Sequence, residues 1–234
     1  MNRREFVKTA AACGLLSTTP LARAANQEPQ KTATPIKPLK PPADGLINVA
    51  FAISKSTTEI DYVGPMAVFE TWYQDPATKK HAPRFNLYTV SDTRDPVDGR
   101  IADHTFETAP PPHIVVVPAQ RGSDALLDWL RKVSPNTDVT MSVCVGARHL
   151  AKAGLLKGQS ATSHHDYIDR LTQEFPDTKW VRGVRFVEGE KISTGGGLTA
   201  GIDLALHVVE RYFGRPAAQL VADHLEYESK GWMV

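Results

Sequence analysis

Short apolar runs separated by helix-like segments set the strongest limit on what this chain can fold into. Leu46–Ile53 (LINVAFAI) and His113–Val117 (HIVVV) are short, partly β-branched, and do not alternate polar with apolar residues. Runs of that kind are strands covered on both faces, the condition of a parallel sheet. Further strands are expected at Phe85–Val90, Thr140–Val143 and Ser160–Ser163. Helical patterns lie between them, at Gly64–Trp72 with Pro65 in the first turn, Asp124–Lys132, Gly146–Ala153 and His165–Phe175. Arg185–Val187 and Lys191–Ser193 flank the turn Glu188-Gly189-Glu190 and read as a hairpin. Closing helices follow at Leu198–Phe213 and Pro216–Tyr227, the first with an apolar stripe of Leu198, Ile202, Ala205, Val209 and Tyr212. This alternation predicts the α/β class, a three-layer α/β/α sandwich around a mostly parallel sheet.

The N-terminus reads differently. Arg3-Arg4-Glu5-Phe6-Val7-Lys8 precedes a moderately apolar run from Ala10 to Leu16 and a small-x-small site at Ala22-Arg23-Ala24. Residues 1–24 are therefore expected to be a twin-arginine signal peptide, and the protein periplasmic. Residues 25–44 hold five prolines and almost no apolar periodicity, so they read as an extended linker. The folded domain is expected to span 45–234. Taking the leader's net +3 from the total of +1 leaves the mature chain mildly acidic, at −2. That balance gives no support for nucleic-acid binding. No apolar run reaches the ~18 residues of a membrane span, so stable insertion of the mature chain is not expected.

Of the two cysteines, only Cys144 lies outside the leader. Ser142-Val143-Cys144-Val145-Gly146 joins an apolar strand to a helix, and small residues there let the backbone turn sharply. The N–H groups of the following helix favour a thiolate and an oxyanion beside it. The alternative is a buried cysteine acting as a small hydrophobe.

Ser142–Ala147, Leu150-Ala151-Lys152-Ala153-Gly154-Leu155-Leu156-Lys157-Gly158 and Ala161-Thr162-Ser163-His164 together resemble the ThiJ/PfpI family. Ile192–Gly197, Ala200–Leu206 and Asp61-Tyr62-Val63-Gly64-Pro65 extend the resemblance to nearly the whole domain, closest to the branch of isonitrile hydratases and AraC-type ligand domains. It implies a flavodoxin-like, class I glutamine-amidotransferase-like fold with Cys144 as nucleophile. It also implies that Asp61 is an acid beside the thiol, where the residues alone favour a helix cap. His164 matches the family's histidine. His165 stands where this branch often has an aromatic residue, and reads as a pocket wall or a helix start. Oxyanion donors would be the Val145 N–H beside Gly146 and an N–H of the loop Pro118-Ala119-Gln120, where relatives usually have Pro-Gly-Gly. Isonitrile hydratases typically carry Thr at the position of Val145.

No cofactor is expected. His164-His165-Asp166 lacks the spacing of a metal motif, so no metal is expected. Gly195-Gly196-Gly197 reads as close backbone packing, and His207 and His224 as structural. Glutaminase chemistry, which needs a late His-x-Glu pair serving the cysteine, is not expected. The expected activity is cysteine-dependent turnover of a small-molecule substrate, with isonitrile hydration as candidate. The alternative is a binding or thiol redox-sensing module. Because the chain stops at Val234 without a helix-turn-helix, direct DNA regulation is not expected. The resemblance implies a homodimer.

Overall fold

The apolar runs become the centre of one sheet. The structure, a computed structural model, describes residues 38–71, 73–74, 81–82 and 84–233, so the leader read at 1–24 and much of the linker lie outside it. In chain order come β1 (Ile47–Ala52), α1 (Ile60–Glu70), β2 (Tyr73–Gln74), β3 (His81–Ala82), β4 (Phe85–Ser91), β5 (His104–Thr105) and β6 (Ile114–Val117). Then follow α2 (Asp124–Val133), β7 (Val139–Ser142), α3 (Ala147–Lys152), β8 (Ser160–Ala161), α4 (Ile168–Glu174) and β9 (Lys179–Trp180). β10 (Phe186–Val187), β11 (Ile192–Gly195), α5 (Ala200–Phe213) and α6 (Arg215–His224) complete the domain.

Seven strands form the main sheet in the order β10-β11-β7-β6-β1-β4-β5. Every neighbouring pair is parallel except β10 with β11, the hairpin read at 185–193. Successive side chains of each strand point to opposite faces. Val49, Phe51, Ile114 and Val116 therefore pack with Val68 and Phe69 of α1, Leu204 and Val208 of α5, and Val221 of α6. Ala50, Ala52, Val115 and Val117 pack on the other face with Leu126 and Leu130 of α2 and Leu150 of α3. The result is the expected three-layer α/β/α arrangement. No helix among the described residues is long and apolar enough to cross a membrane.

Three local differences from the sequence reading have physical causes. α1 begins at Ile60, not Gly64, so Pro65 lies inside the helix and Asp61 in its first turn. The proline removes only the bond its missing N–H would have made to the Asp61 carbonyl. Leu198 lies outside α5: its φ is +47° and its side chain is exposed, so the buried stripe starts later. β8 is two residues long because Thr162 and Ser163 turn away to partners at the site, and β8 pairs with β9, a strand with no clear sequence pattern. In the last part of the Pro-rich segment, the Leu39 N–H donates to the Arg211 carbonyl at 2.9 Å, which holds it against α5.

The far end of the sheet is tied by charge. His207 Nε2 lies 2.7 Å from Glu188 Oε2 and Arg211 Nε 3.2 Å from Glu188 Oε1, which fastens the β10–β11 turn to α5. Two glycines let α5 approach closely. A Cβ at Gly64 would lie 3.0 Å from Ile202 Cγ1, and one at Gly201 2.8 Å from Val143 Cγ2. Gly201→Val is accordingly expected to lower unfolding free energy by about 1–3 kcal/mol through overpacking. Urea denaturation monitored by circular dichroism measures this.

Candidate functional site

β7 runs to Ser142, and its direction is broken two residues later. Cys144 has φ of +57°, a left-handed conformation that costs a residue with a Cβ roughly 1–2 kcal/mol. Three hydrogen bonds hold it there. The Val143 N–H donates to the Val117 carbonyl at 3.0 Å, and the Cys144 N–H to the Gly196 carbonyl at 2.7 Å. Ser163 Oγ donates to the Cys144 carbonyl at 2.8 Å. The chain then makes a tight turn over Cys144–Gly146 into α3. Gly146 is required there, because a Cβ would collide with the Val117 carbonyl oxygen and lie 2.9 Å from Pro118. The strand-to-helix elbow read from the sequence is thus present, with its strain on the cysteine.

Cys144 is 7% exposed. Burial pushes the thiol pKa up to about 11, and the charge of Asp61 adds to the rise. The N–H groups of Val145 and Leu198 approach the sulfur and oppose that rise without reversing it. At neutral pH the resting sulfur is therefore a thiol. The Val145 N–H, read from the sequence as an oxyanion donor, here lies against the sulfur. Leu198 was not foreseen, because it read as the first residue of a helical stripe. Its left-handed φ, after three glycines, is what aims its amide.

Asp61 is fully buried. It is not a helix cap: it lies inside α1, whose N-cap is Glu59. Its Oδ2 accepts the Ala119 N–H at 3.0 Å, while Oδ1 is buried with no partner among the described residues. Burial raises its pKa to about 6 against the pull of the Ala119 hydrogen bond. The site thus places a carboxylate that is a useful base near neutrality beside a thiol that needs one.

The loop after β6 is tied on both sides. The Ala119 N–H is engaged by Asp61, and the Ala119 carbonyl accepts from Thr58 N–H at 2.8 Å. The Gln120 side chain donates to the Ala52 carbonyl at 2.8 Å and its Oε1 is buried without a partner, which ties it to β1. The Gln120 backbone N–H has no partner among the described residues.

His164 lies against the glycine loop, where a Cβ at Gly197 would come 2.7 Å from its ring. Its Nδ1 accepts the Asp166 N–H at 3.3 Å. His165 stacks on it at 4.4 Å but is 77% exposed and paired with Asp166, so it forms no enclosed pocket wall. The ligand atoms of His164, His165 and Asp166 lie within 4.8 Å of one another, with His165 and Asp166 exposed. One late His-x-Glu does occur, His224-Leu225-Glu226. It lines a groove with Glu70 and Thr71 at the last turn of α1, whereas Asp61 lies in the first.

The DJ-1/PfpI family profile matches residues 47–211. The chain belongs to the DJ-1/PfpI family. Among curated relatives of this DJ-1/PfpI protein, an isonitrile hydratase of Pseudomonas putida is 37% identical over 131 residues, 53% of this chain and 55% of that protein. The transcriptional regulator CdhR of Pseudomonas aeruginosa is 33% identical over 106 residues, 45% of this chain and 31% of the regulator. The chain therefore spans about half the length of the first and a third of the second. Among solved structures, a ThiJ/PfpI family protein from Pseudomonas syringae has a TM-score of 0.65 at 26% identity, covering 92% of this chain and 85% of its own. Drosophila melanogaster DJ-1beta has the same fold, with a TM-score of 0.65 at 18% identity, covering 79% of this chain and 100% of its own.

A buried carboxylate with a raised pKa has a stability signature. Folded Asp61 takes its proton near pH 6 and the unfolded group near 3.8, so its contribution is fully favourable below 3.8 and is lost as pH rises through 6. Asp61→Asn, which removes the buried charge, is expected to raise unfolding free energy at pH 8 by about 1–3 kcal/mol. The gain should vanish toward pH 4, as read from urea unfolding at both pH values.

Proposed function

We propose that this protein is a cysteine-dependent enzyme acting on a small electrophile, with isonitrile hydration to an N-substituted formamide as its activity. The observation that carries the reading is a strained, buried Cys144 beside a buried Asp61 whose pKa is raised to about 6. The similarity to an isonitrile hydratase supports the choice of substrate.

Asp61 takes the thiol proton as Sγ attacks the terminal isonitrile carbon. The same carbon then receives that proton from Asp61, giving a thioimidate, R–N=CH–S–Cys144. Water adds to its carbon, with Asp61 accepting one water proton while the nitrogen gains another. The tetrahedral adduct collapses, the C–S bond breaks, and formamide leaves as the thiol is reprotonated. The N–H groups of Val145 and Leu198 stabilise the sulfur as charge develops. His164 bounds the site. No step calls on a metal or cofactor.

Cys144→Ala is expected to lower formamide production from a small isonitrile on the order of 10³-fold or more. Wild-type turnover should fall as pH drops through about 6, where Asp61 loses its charge. Retention of activity in the alanine variant, measured by chromatography of the formamide, overturns the mechanism.

One observation favours a second reading. A thiol whose pKa is pushed up to about 11 is a poor resting nucleophile, and the chain is also similar to the transcriptional regulator CdhR. A ligand-binding or thiol redox-sensing module is therefore the competing proposal. A panel of small isonitriles bound without turnover would establish it.

The proposal includes export through the twin-arginine leader, a periplasmic location and assembly as a homodimer. Protein recovered from a periplasmic fraction is expected to begin at Ala25 by N-terminal sequencing. An unprocessed Met1 in that fraction would count against the leader.

A further inference from the structure

We propose that His149 is a positioning residue for the Asp61–Cys144 pair: its imidazole clamps the 118–122 loop, and the clamped loop presents the Ala119 N–H to Asp61. The inference rests on Asp61 and Cys144 being the reacting pair and adds a residue that their chemistry needs.

His149 stands on α3, five residues after Cys144, between a half-buried Arg148 and a buried Leu150. It is 5% exposed. Its Nε2 lies 3.0 Å from the Gln120 carbonyl oxygen. A carbonyl only accepts, so Nε2 carries the proton and Nδ1 does not. Burial, together with the nearby Arg148 and Lys152 charges, holds the ring neutral despite that hydrogen bond. From below, the ring fills the space where Gly122 has no Cβ; a methyl group there would collide with it. Gly122 also has φ of +68°, which glycine adopts without strain.

The rest of the loop is fixed from the β1 side. The Arg121 N–H donates to the Lys55 carbonyl at 2.9 Å, and the Gly122 N–H to Ser54 Oγ at 3.0 Å. The Gln120 side chain reaches Ala52 and the Ala119 carbonyl takes the Thr58 N–H. His149 is a side-chain contact from α3, the helix that follows the nucleophile's turn. It makes one rigid path from Cys144 through α3 and Gln120 to the amide that tunes Asp61.

The test needs no substrate. Asp61 is titrated by carbon NMR of its carboxyl, and the pH dependence of Cys144 alkylation by iodoacetamide is followed in parallel. In His149→Leu, which keeps bulk but lacks the donor, the weakened Ala119 hydrogen bond should move the Asp61 midpoint and the lower alkylation limb upward by about half a pH unit or more. His149→Gln, which restores a donor toward the Gln120 carbonyl, should return both to the wild-type position. If His149→Leu does not fold, Gly122→Ala, which forces the ring away, should give the same upward shift. An unchanged Asp61 midpoint in whichever of these two variants folds overturns the proposal. Where an isonitrile is turned over, His149→Leu should lower kcat about tenfold with KM little changed. A shifted midpoint without any isonitrile turnover leaves the clamp standing and removes the enzyme reading; turnover with an unshifted midpoint does the reverse.

Discussion

The hydrogen bond from the Cys144 N–H to the Gly196 carbonyl joins the two halves of this molecule at the point where its chemistry sits. β7 and β11 are neighbours in the sheet, and each ends in a loop that the other's loop must accommodate. The left-handed turn at Cys144 persists because Gly196, Ser163 and Val117 each fix one backbone group around it. That frame also keeps the sulfur against the amides of Val145 and Leu198 and within the field of Asp61. The α1–α5 contact serves the same frame from the other side, since Gly201 lets α5 start directly against Val143.

Burial decides the electrostatics. Two N–H groups favour the thiolate and one favours the carboxylate, yet both acids are raised, because desolvation outweighs each hydrogen bond. The pair therefore rests with the proton on sulfur and the charge on oxygen. Such a pair is chemically useful only when an electrophile arrives to accept the sulfur's electrons, at which point the proton has a nearby base to move to.

The sheet was legible because LINVAFAI and HIVVV admit few other readings, and the elbow because a lone cysteine between strand and helix has a characteristic local pattern. The helix-cap alternative for Asp61 failed because Pro65 suggested a helix start, whereas the helix runs through it. Leu198 fitted an apolar period whose first member lies outside the helix, so periodicity alone concealed a backbone amide at the site. His149 left almost no trace, since one histidine in a short helix looks like a solvated residue until Gln120 and Gly122 are seen above it. His165 shows the converse, an identity that suggests a pocket and a side chain that faces water.

The proton arrangement at Cys144 has a consequence for chemical profiling. Broad thiol-directed probes favour cysteines that are already ionised, and a thiol pushed up to about 11 is disadvantaged by that measure. Compounds shaped to engage Asp61 while presenting an electrophilic carbon would invert the ranking. Selectivity toward this site then comes from recruiting its base, with intrinsic warhead reactivity kept low.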